Sequence, residues 1–389
     1  MTHNESISYI KLCAIKDIGA ITAMRLLKHF GSPQKIFEAT KTELMQVEKI
    51  GAKTADAILQ GKDLVDTSKI LDAMNRIGAR YIDFNSPDYP KNLQPLTDKP
   101  VGIYAIGDCD LSAPAISIVG SRNCTVYGQL MARRFASAFA QAGFTVISGM
   151  ARGIDSMAHL GALEAGGKTI AVLGSGVDVV YPPENMDLYK KIIAQGAVIS
   201  EFPMGSRADR QNFPIRNRIV AGMSVATVVV ESDRKGGSMI TARVAAEYGR
   251  DVFAIPGRID SALSRGCNAL IRDGAILASS PQDVIDALNF SKPIQMSLFD
   301  SQPNKTKICE TQTSLPEETK KESCQLPKQN LSPDEATLFQ IISREKTVHI
   351  DTLCELSKLE MKRCIPALLM LEIKRLICKD AGGNYSLKN

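Results

Sequence analysis

The sequence predicts an α/β protein in three folded parts. A Rossmann-like, doubly wound core is expected at residues 80–290. A helical module of the SAM or helix-hairpin-helix kind precedes it at 1–75. A winged helix is expected at 331–389, beyond a disordered linker at 291–330. Three observations carry this reading. Between about 110 and 290 the chain repeats an apolar strand, a Gly-rich turn and a helical pattern, which is the signature of a parallel sheet covered on both faces. Before it, an Ile-Gly-Ala turn occurs twice between helical stretches. After it, a polar, Pro-containing stretch gives way to a capped helical start.

The totals allow this layout. At 389 residues the chain exceeds one ordinary domain, and 44% hydrophobic with 23% charged residues suits a buried core. The formal charge of +5 is only weakly basic, compatible with a polyanion partner but poor evidence for one. Nine cysteines, an odd number with no C-x-x-C pair, suggest reduced cytoplasmic thiols and not a disulfide or zinc framework. The first residues, MTHNESISYI, lack a basic region followed by an apolar one, so no signal peptide is read. No stretch reaches about 18 uninterrupted apolar residues, so no membrane span is read.

In the first part, Ile18-Gly19-Ala20-Ile21-Thr22-Ala23 is echoed by Ile50-Gly51-Ala52-Lys53-Thr54-Ala55. Each Gly turn opens a helix and can offer backbone N–H groups to a phosphate. The second Gly usual in such hairpins is Ala20 and Ala52 here, which favours helix packing over DNA binding. In the core, strands are predicted at 115–119, 144–148, 169–173, 197–200, 226–230 and 251–255. In the last part, Ser332-Pro333-Asp334-Glu335 reads as an N-cap, a Pro at the first helical position and acids in the first turn. Three short helices and a hairpin around Gly382-Gly383 complete a winged helix. Ser357-Lys358-Leu359-Glu360 reads as a capping box for its groove-entering helix, which Pro366 interrupts. Duplex binding and protein docking both suit that helix.

In doubly wound sheets ligands sit at the carboxyl ends of the strands, and here each end is followed by a telling loop. These are Gly120-Ser121-Arg122, then Ser148-Gly149-Met150-Ala151-Arg152-Gly153, then Gly174-Ser175-Gly176, and Glu231-Ser232-Asp233-Arg234-Lys235-Gly236-Gly237-Ser238. Glycines let backbone N–H groups approach an anion, and helix N-termini add positive potential. Each loop alone is a plain tight turn. Several converging on one sheet edge with Arg122, Arg216, Arg218 and Lys235 are stronger. Residues 201–275 hold ten Arg and one Lys, whereas 291–389 hold twelve Lys and three Arg. Solubility does not require that switch, and guanidinium forks suit phosphate oxygens. Phe213 could stack on a base in such a cleft or belong to the core.

Catalytic equipment is not apparent. Gly174-Ser175-Gly176-Val177-Asp178-Val179 fails the dinucleotide fingerprint, and no G-x-x-x-x-G-K-[ST] loop exists. Asp155 and His159 share a helix face and could bind a metal, but a helix cap and a packed His are expected instead. The anion is thus expected to be held and not cleaved, with no enzyme activity and no cofactor or metal.

Taken together, GSRNCTVYG, SGMARGIDSMAH, VLGSGVDVVYPPEN, SEFPMGSRADRQNFPIRNRIVAG, ESDRKGGSMITA and PGR…GCNALIRDGA resemble the DNA-processing protein A (DprA/Smf) family across roughly residues 80–285. The flanking modules resemble its layout too. The resemblance implies a core that binds and shields single-stranded DNA, helps load the RecA recombinase during transformation, and forms a homodimer. It carries the family's phosphate pocket onto Gly120, Ser121, Arg122, Gly149, Gly153, Phe213, Arg216, Asn217, Arg218, Lys235, Gly237 and Ser238. The loop that often reads Ser-Gly-Ser in the family is Gly236-Gly237-Ser238 here. That loosens one phosphate contact, for which Arg152 is expected to compensate. Arg216 and Arg218 are expected at the pocket rim. In the linker, Gln295-Met296-Ser297-Leu298-Phe299 resembles peptides that dock on the replicative sliding clamp, with Gln295, Leu298 and Phe299 as anchors. Two other classes compete. One is a nucleotide hydrolase of the lysine-decarboxylase-like kind, for which Glu231 is the obvious carboxylate. The other is a scaffold joining DNA to a protein.

Overall fold

The computed structural model of the chain describes residues 3–16, 18–290, 332–345, 347–357, 359, 361–374, 376–379 and 384–387. It divides into two compact units, up to Met296 and from Ser297 onward.

The first unit is built on a nine-stranded sheet. Its strands are β1 (Arg80–Asp83), β2 (Gly102–Ile106), β3 (Ala115–Val119), β4 (Thr145–Ser148), β5 (Thr169–Val172), β6 (Ala197–Ser200), β7 (Ala226–Val229), β8 (Asp251–Ala254) and β9 (Ile276–Leu277). The order is β1-β2-β6-β5-β4-β3-β7-β8-β9. From β6 through β9 every neighbouring pair is parallel, while β1 and β2 pair antiparallel and β2 joins β6 antiparallel. All six predicted strands are present. β1, β2 and β9 extend the sheet beyond them.

The central strands are buried along their whole length, because helices cover both faces. Alternation along β3 shows this. Ala115 and Val119 pack on one side with Ile219, Val220 and Met223, and Ile116 and Ile118 pack on the other with Phe135, Phe139 and Ala158.

Six helices precede the sheet: α1 (His3–Ala14), α2 (Ala20–Phe30), α3 (Pro33–Glu38), α4 (Lys41–Met45), α5 (Ala52–Leu64) and α6 (Thr67–Ile77). The two echoed turns place Gly19 and Gly51 as the N-caps of α2 and α5. Leu12, Leu26, Ile36, Leu44 and Ile58 form their core, and Val101, Tyr81 and Phe84 of the sheet edge join it. The helical module is therefore packed on the edge strands and not tethered beside them.

The core helices are α7 (Val126–Gln141), α8 (Ile154–Glu164), α9 (Met186–Gln195), α10 (Asn212–Met223), α11 (Gly237–Glu247), α12 (Arg265–Arg272) and α13 (Pro281–Phe290). The second unit holds α14 (Pro333–Glu345), β10 (Thr347–His349), α15 (Ile350–Ser357), α16 (Met361–Ile373), β11 (Ile377–Lys379) and β12 (Asn384–Leu387), with sheet order β10-β12-β11. This is the predicted winged helix. Its start is a reciprocal cap: the Ser332 N–H donates to Glu335 Oε2 at 2.8 Å, and the Glu335 N–H donates to Ser332 Oγ at 3.3 Å. The other predicted box differs. Ser357 is the last residue of α15, its Oγ accepts from the Leu359 N–H at 3.4 Å, and α16 begins at Met361. Pro366 lies inside α16, which runs through it unbroken to Ile373, so the expected interruption does not occur. Gln295, Leu298 and Phe299 lie outside the described residues.

Candidate nucleic-acid interface

The connection from β3 leads through α7 to β4 on one side of it, and the connection from β7 leads through α11 to β8 on the other. β3 and β7 are neighbours. Their following loops therefore diverge and leave a crevice at the carboxyl edge, the place where doubly wound sheets bind ligands. A cleft of about 590 Å³ occupies it, lined among others by Ser121, Arg122, Gly149, Arg216, Asn217 and Ser238.

Backbone constraints lock these loops together. The Ser121 N–H donates to the Glu231 carbonyl at 2.7 Å and the Ile154 N–H donates to the Ser121 carbonyl at 3.2 Å. Gly153 sits between them with φ 74° and ψ −124°, a conformation reserved for glycine. A Cβ there would come within 3.0 Å of the carbonyl oxygens of Ser121 and Arg122. Gly149 is needed for another reason, since a Cβ would overlap the Arg216 guanidinium.

That guanidinium forms the cleft floor. Arg216 is 4% exposed, donates to the Val172 carbonyl, and has no hydrogen-bond partner for Nε among the described residues. Burial pulls its pKa down to about 10, against an opposing pull from Asp155, so it stays cationic at neutral pH. Asp155, at the start of α8, accepts from the N–H groups of Gly149 and Ala151 at 3.2 and 3.4 Å. Burial raises its own pKa, with Arg216 opposing.

Above the floor, the Arg122 guanidinium lies over the Phe213 ring at 4.9 Å, a cation–π contact. Asn217 Nδ2 donates to the Gly237 carbonyl at 3.4 Å. Ser238 Oγ donates to Ser232 Oγ at 2.8 Å, so its hydroxyl is engaged in holding the loop. Gly237 opens α11, with nothing within 4 Å of a Cβ. Arg152 borders a narrower recess beside the cleft with Arg122, Tyr181 and Phe213, and is ion-paired with Glu184.

Gly120 and Gly153 lie behind the cleft and not in its lining, Gly120 packed against Ile154 and the Glu231 carbonyl, and two predicted side chains stand apart. Arg218 does not line the cleft. It is nearly buried in an ion pair with Glu201 on the opposite face of α10. The expectation of Arg216 and Arg218 together at the rim is thus corrected twice: one is the floor, the other points away. Lys235 is exposed on the loop bordering the cleft but is not among its lining residues. Arg210 and Tyr181, not singled out in the sequence, line the cleft and the recess.

The candidate catalytic groups are committed to structure. Thr125 donates from its N–H and its hydroxyl to the two oxygens of Glu231, at 2.8 and 2.6 Å, which fixes the start of α7. The Thr169 hydroxyl donates to the Val146 carbonyl at 2.7 Å, so His159 Nδ1 donates to Thr169 at 2.7 Å. Burial pushes that imidazole down to about 3, leaving it neutral. No group of three or more metal-ligating side chains occurs among the described residues. No described helix is long and apolar enough to cross a membrane.

Residues 80–289 match the model of the DNA recombination-mediator protein A family. The chain belongs to that family. Residues 9–61 match a SAM-like helix-hairpin-helix tandem, and 323–383 match the DprA winged helix domain. Protein Smf of Synechocystis sp. is 32% identical over 402 residues, covering 99% of each chain. DNA processing protein DprA of Streptococcus pneumoniae is 42% identical over 203 residues, covering 52% of this chain and 72% of its own. The X-ray structure of DprA from Streptococcus pneumoniae superposes with a TM-score of 0.64 at 32% identity, covering 73% of this chain and 98% of that one. A structure of DNA processing protein A from Helicobacter pylori, described for its single-stranded DNA binding mode, superposes with a TM-score of 0.50 at 29% identity, covering 55% of this chain and 96% of that one. The family's core therefore coincides with the doubly wound sheet and its cleft, and its winged helix with the second unit.

Proposed function

We propose that this member of the family binds the backbone of single-stranded DNA without sequence preference, shields it, and helps load a RecA recombinase onto it, in the cytoplasm and as a homodimer. The observation that carries the binding step is the convergence of Arg122, the buried Arg216 and the glycine-bounded start of α11 on one cleft. Charge-assisted donors to phosphate dominate there. The single-stranded DNA binding mode described for the Helicobacter pylori protein points the same way. RecA loading and dimerisation rest on the family resemblance alone. A nucleotide hydrolase is disfavoured because the carboxylate it would need, Glu231, is held at both oxygens by Thr125.

Gel-shift titration with single-stranded and duplex oligonucleotides tests the binding step. Single strands of different sequence should bind alike and better than duplex. The logarithm of affinity should fall linearly with the logarithm of salt, as phosphate contacts release counterions. Equal affinity for duplex, or indifference to salt, would overturn the reading.

We further propose that Leu298 and Phe299, with Gln295, anchor the linker on the sliding clamp, a reading carried by the sequence pattern. A peptide spanning residues 292–302 should bind purified clamp in the micromolar range, roughly −7 to −8 kcal/mol. Leu298→Ala with Phe299→Ala should abolish that binding and leave single-stranded DNA affinity unchanged. No peptide binding would end the idea.

A further inference from the structure

Tyr181 belongs to no part of the phosphate-binding arrangement, yet it stands beside it. It lies on the loop between β5 and α9, 36% exposed, and it lines the narrow recess with Arg122, Arg152, Phe213 and Arg216. Its ring meets the Phe213 ring with centroids 5.7 Å apart and planes inclined by 37°. Phe213 in turn carries the Arg122 guanidinium at 4.9 Å. Phe213 is thus engaged by neighbours on several sides, Gly174 included, where a Cβ would approach its Cδ1 to 3.0 Å. A nucleobase has little of the Phe213 ring left to use. Tyr181 is the more exposed of the two rings. It shares the recess with Arg152, which is itself braced by Glu184.

We infer that Tyr181 is the stacking platform for one nucleobase of the strand whose phosphates the Arg122 loop and Arg216 hold. This rests on the reading of the cleft as a single-stranded DNA backbone site and adds a base contact to it. The chemistry fits one nucleotide unit: an anionic phosphate beside guanidinium groups, and a flat apolar base beside an aromatic ring packed against Phe213. Stacking accepts any base, because each has a π face, so the contact is consistent with binding that ignores sequence. It would also favour single strands, since the faces of duplex bases are already stacked.

The test compares a base-bearing oligothymidylate with an abasic deoxyribose-phosphate oligomer of equal length and equal phosphate number. For the full-length chain, Tyr181→Leu should weaken oligothymidylate binding roughly tenfold or more. It should leave abasic binding and the salt slope unchanged, and Tyr181→Phe should bind oligothymidylate like the unaltered protein. Loss on both oligomers, or a shallower salt slope, would mean that Tyr181 merely supports Arg122 and Arg152, and the inference falls. No loss on either also overturns it. Tyr181→Trp supplies a second readout, because the chain contains no tryptophan. Its fluorescence should be quenched by saturating oligothymidylate and not by the abasic oligomer, and equal response to both would overturn the platform. Failure of the unaltered protein to bind either oligomer would instead overturn the underlying reading, and this inference with it.

Discussion

Replacing Arg122 with alanine is expected to lower affinity for single-stranded DNA by roughly 10- to 100-fold while leaving the protein folded. Hydrogen bonds from a charged group contribute about 1.5–3 kcal/mol, and each 1.4 kcal/mol is about tenfold in affinity. Arg122 is exposed at the mouth of the cleft, and its guanidinium rests on the face of Phe213. Removing it therefore opens no core cavity, and a surface change of this kind shifts stability by about 0.5 kcal/mol or less. The salt slope of binding should become shallower by about one unit, the signature of one lost phosphate contact. Arg218→Ala should behave in the opposite way. It strips the partner from Glu201, whose carboxylate lies nearly buried, and breaking such a pair costs about 3 kcal/mol or more. Its salt slope should stay that of the unaltered protein. Gel shifts across a salt series, with thermal melts of the same samples, separate the two. A shallower slope for Arg218→Ala, or an unchanged one for Arg122→Ala, would mean that the cleft has been assigned to the wrong arginines.

That contrast shows where the sequence was legible and where it was not. Strand positions were readable because β3 to β8 are short, apolar and punctuated by glycine, and the cleft loops follow directly from them. β1 and β2 were missed because they lie outside that repeating pattern, at an antiparallel edge where the sheet meets the helical module. β9 has two residues, both exposed, so no apolar run announces it. The separation of Arg216 from Arg218 follows from the helical period. Residues 212–223 form one helix, α10, and positions two apart on a helix face different sides. Phe213, Arg216, Asn217 and Val220 share the stripe that faces the cleft, while Arg218 cannot. The burial of Arg216 was out of reach, because it depends on Gly149 in a distant loop leaving space for the guanidinium. The engagement of Glu231 by Thr125, across more than a hundred residues, is likewise a product of the topology.

The largest effect on the site as a whole is expected from Gly153→Ala. Gly153 joins three constraints at one point. Its φ of 74° with ψ of −124° disfavours any side chain, at a cost of about 1–3 kcal/mol. Its missing Cβ is the space taken by the carbonyl oxygens of Ser121 and Arg122, which are backbone and cannot swing aside as a side-chain end would. The residue after it, Ile154, donates its N–H to that Ser121 carbonyl at 3.2 Å. An added methyl group must therefore push the Arg122 loop away from the start of α8 and break the link between two of the converging loops. Stability should fall by about 2–4 kcal/mol, and the remaining folded protein should bind single-stranded DNA at least as weakly as Arg122→Ala. Gly237→Ala is the matched control. Gly237 begins α11 with open space around the position of a Cβ, and alanine is the better helix former by up to about 1 kcal/mol. That variant should melt no lower than the unaltered protein. If Gly153→Ala melts and binds like the unaltered protein, the strained turn does not hold the phosphate loops, and the cleft must draw its geometry from elsewhere.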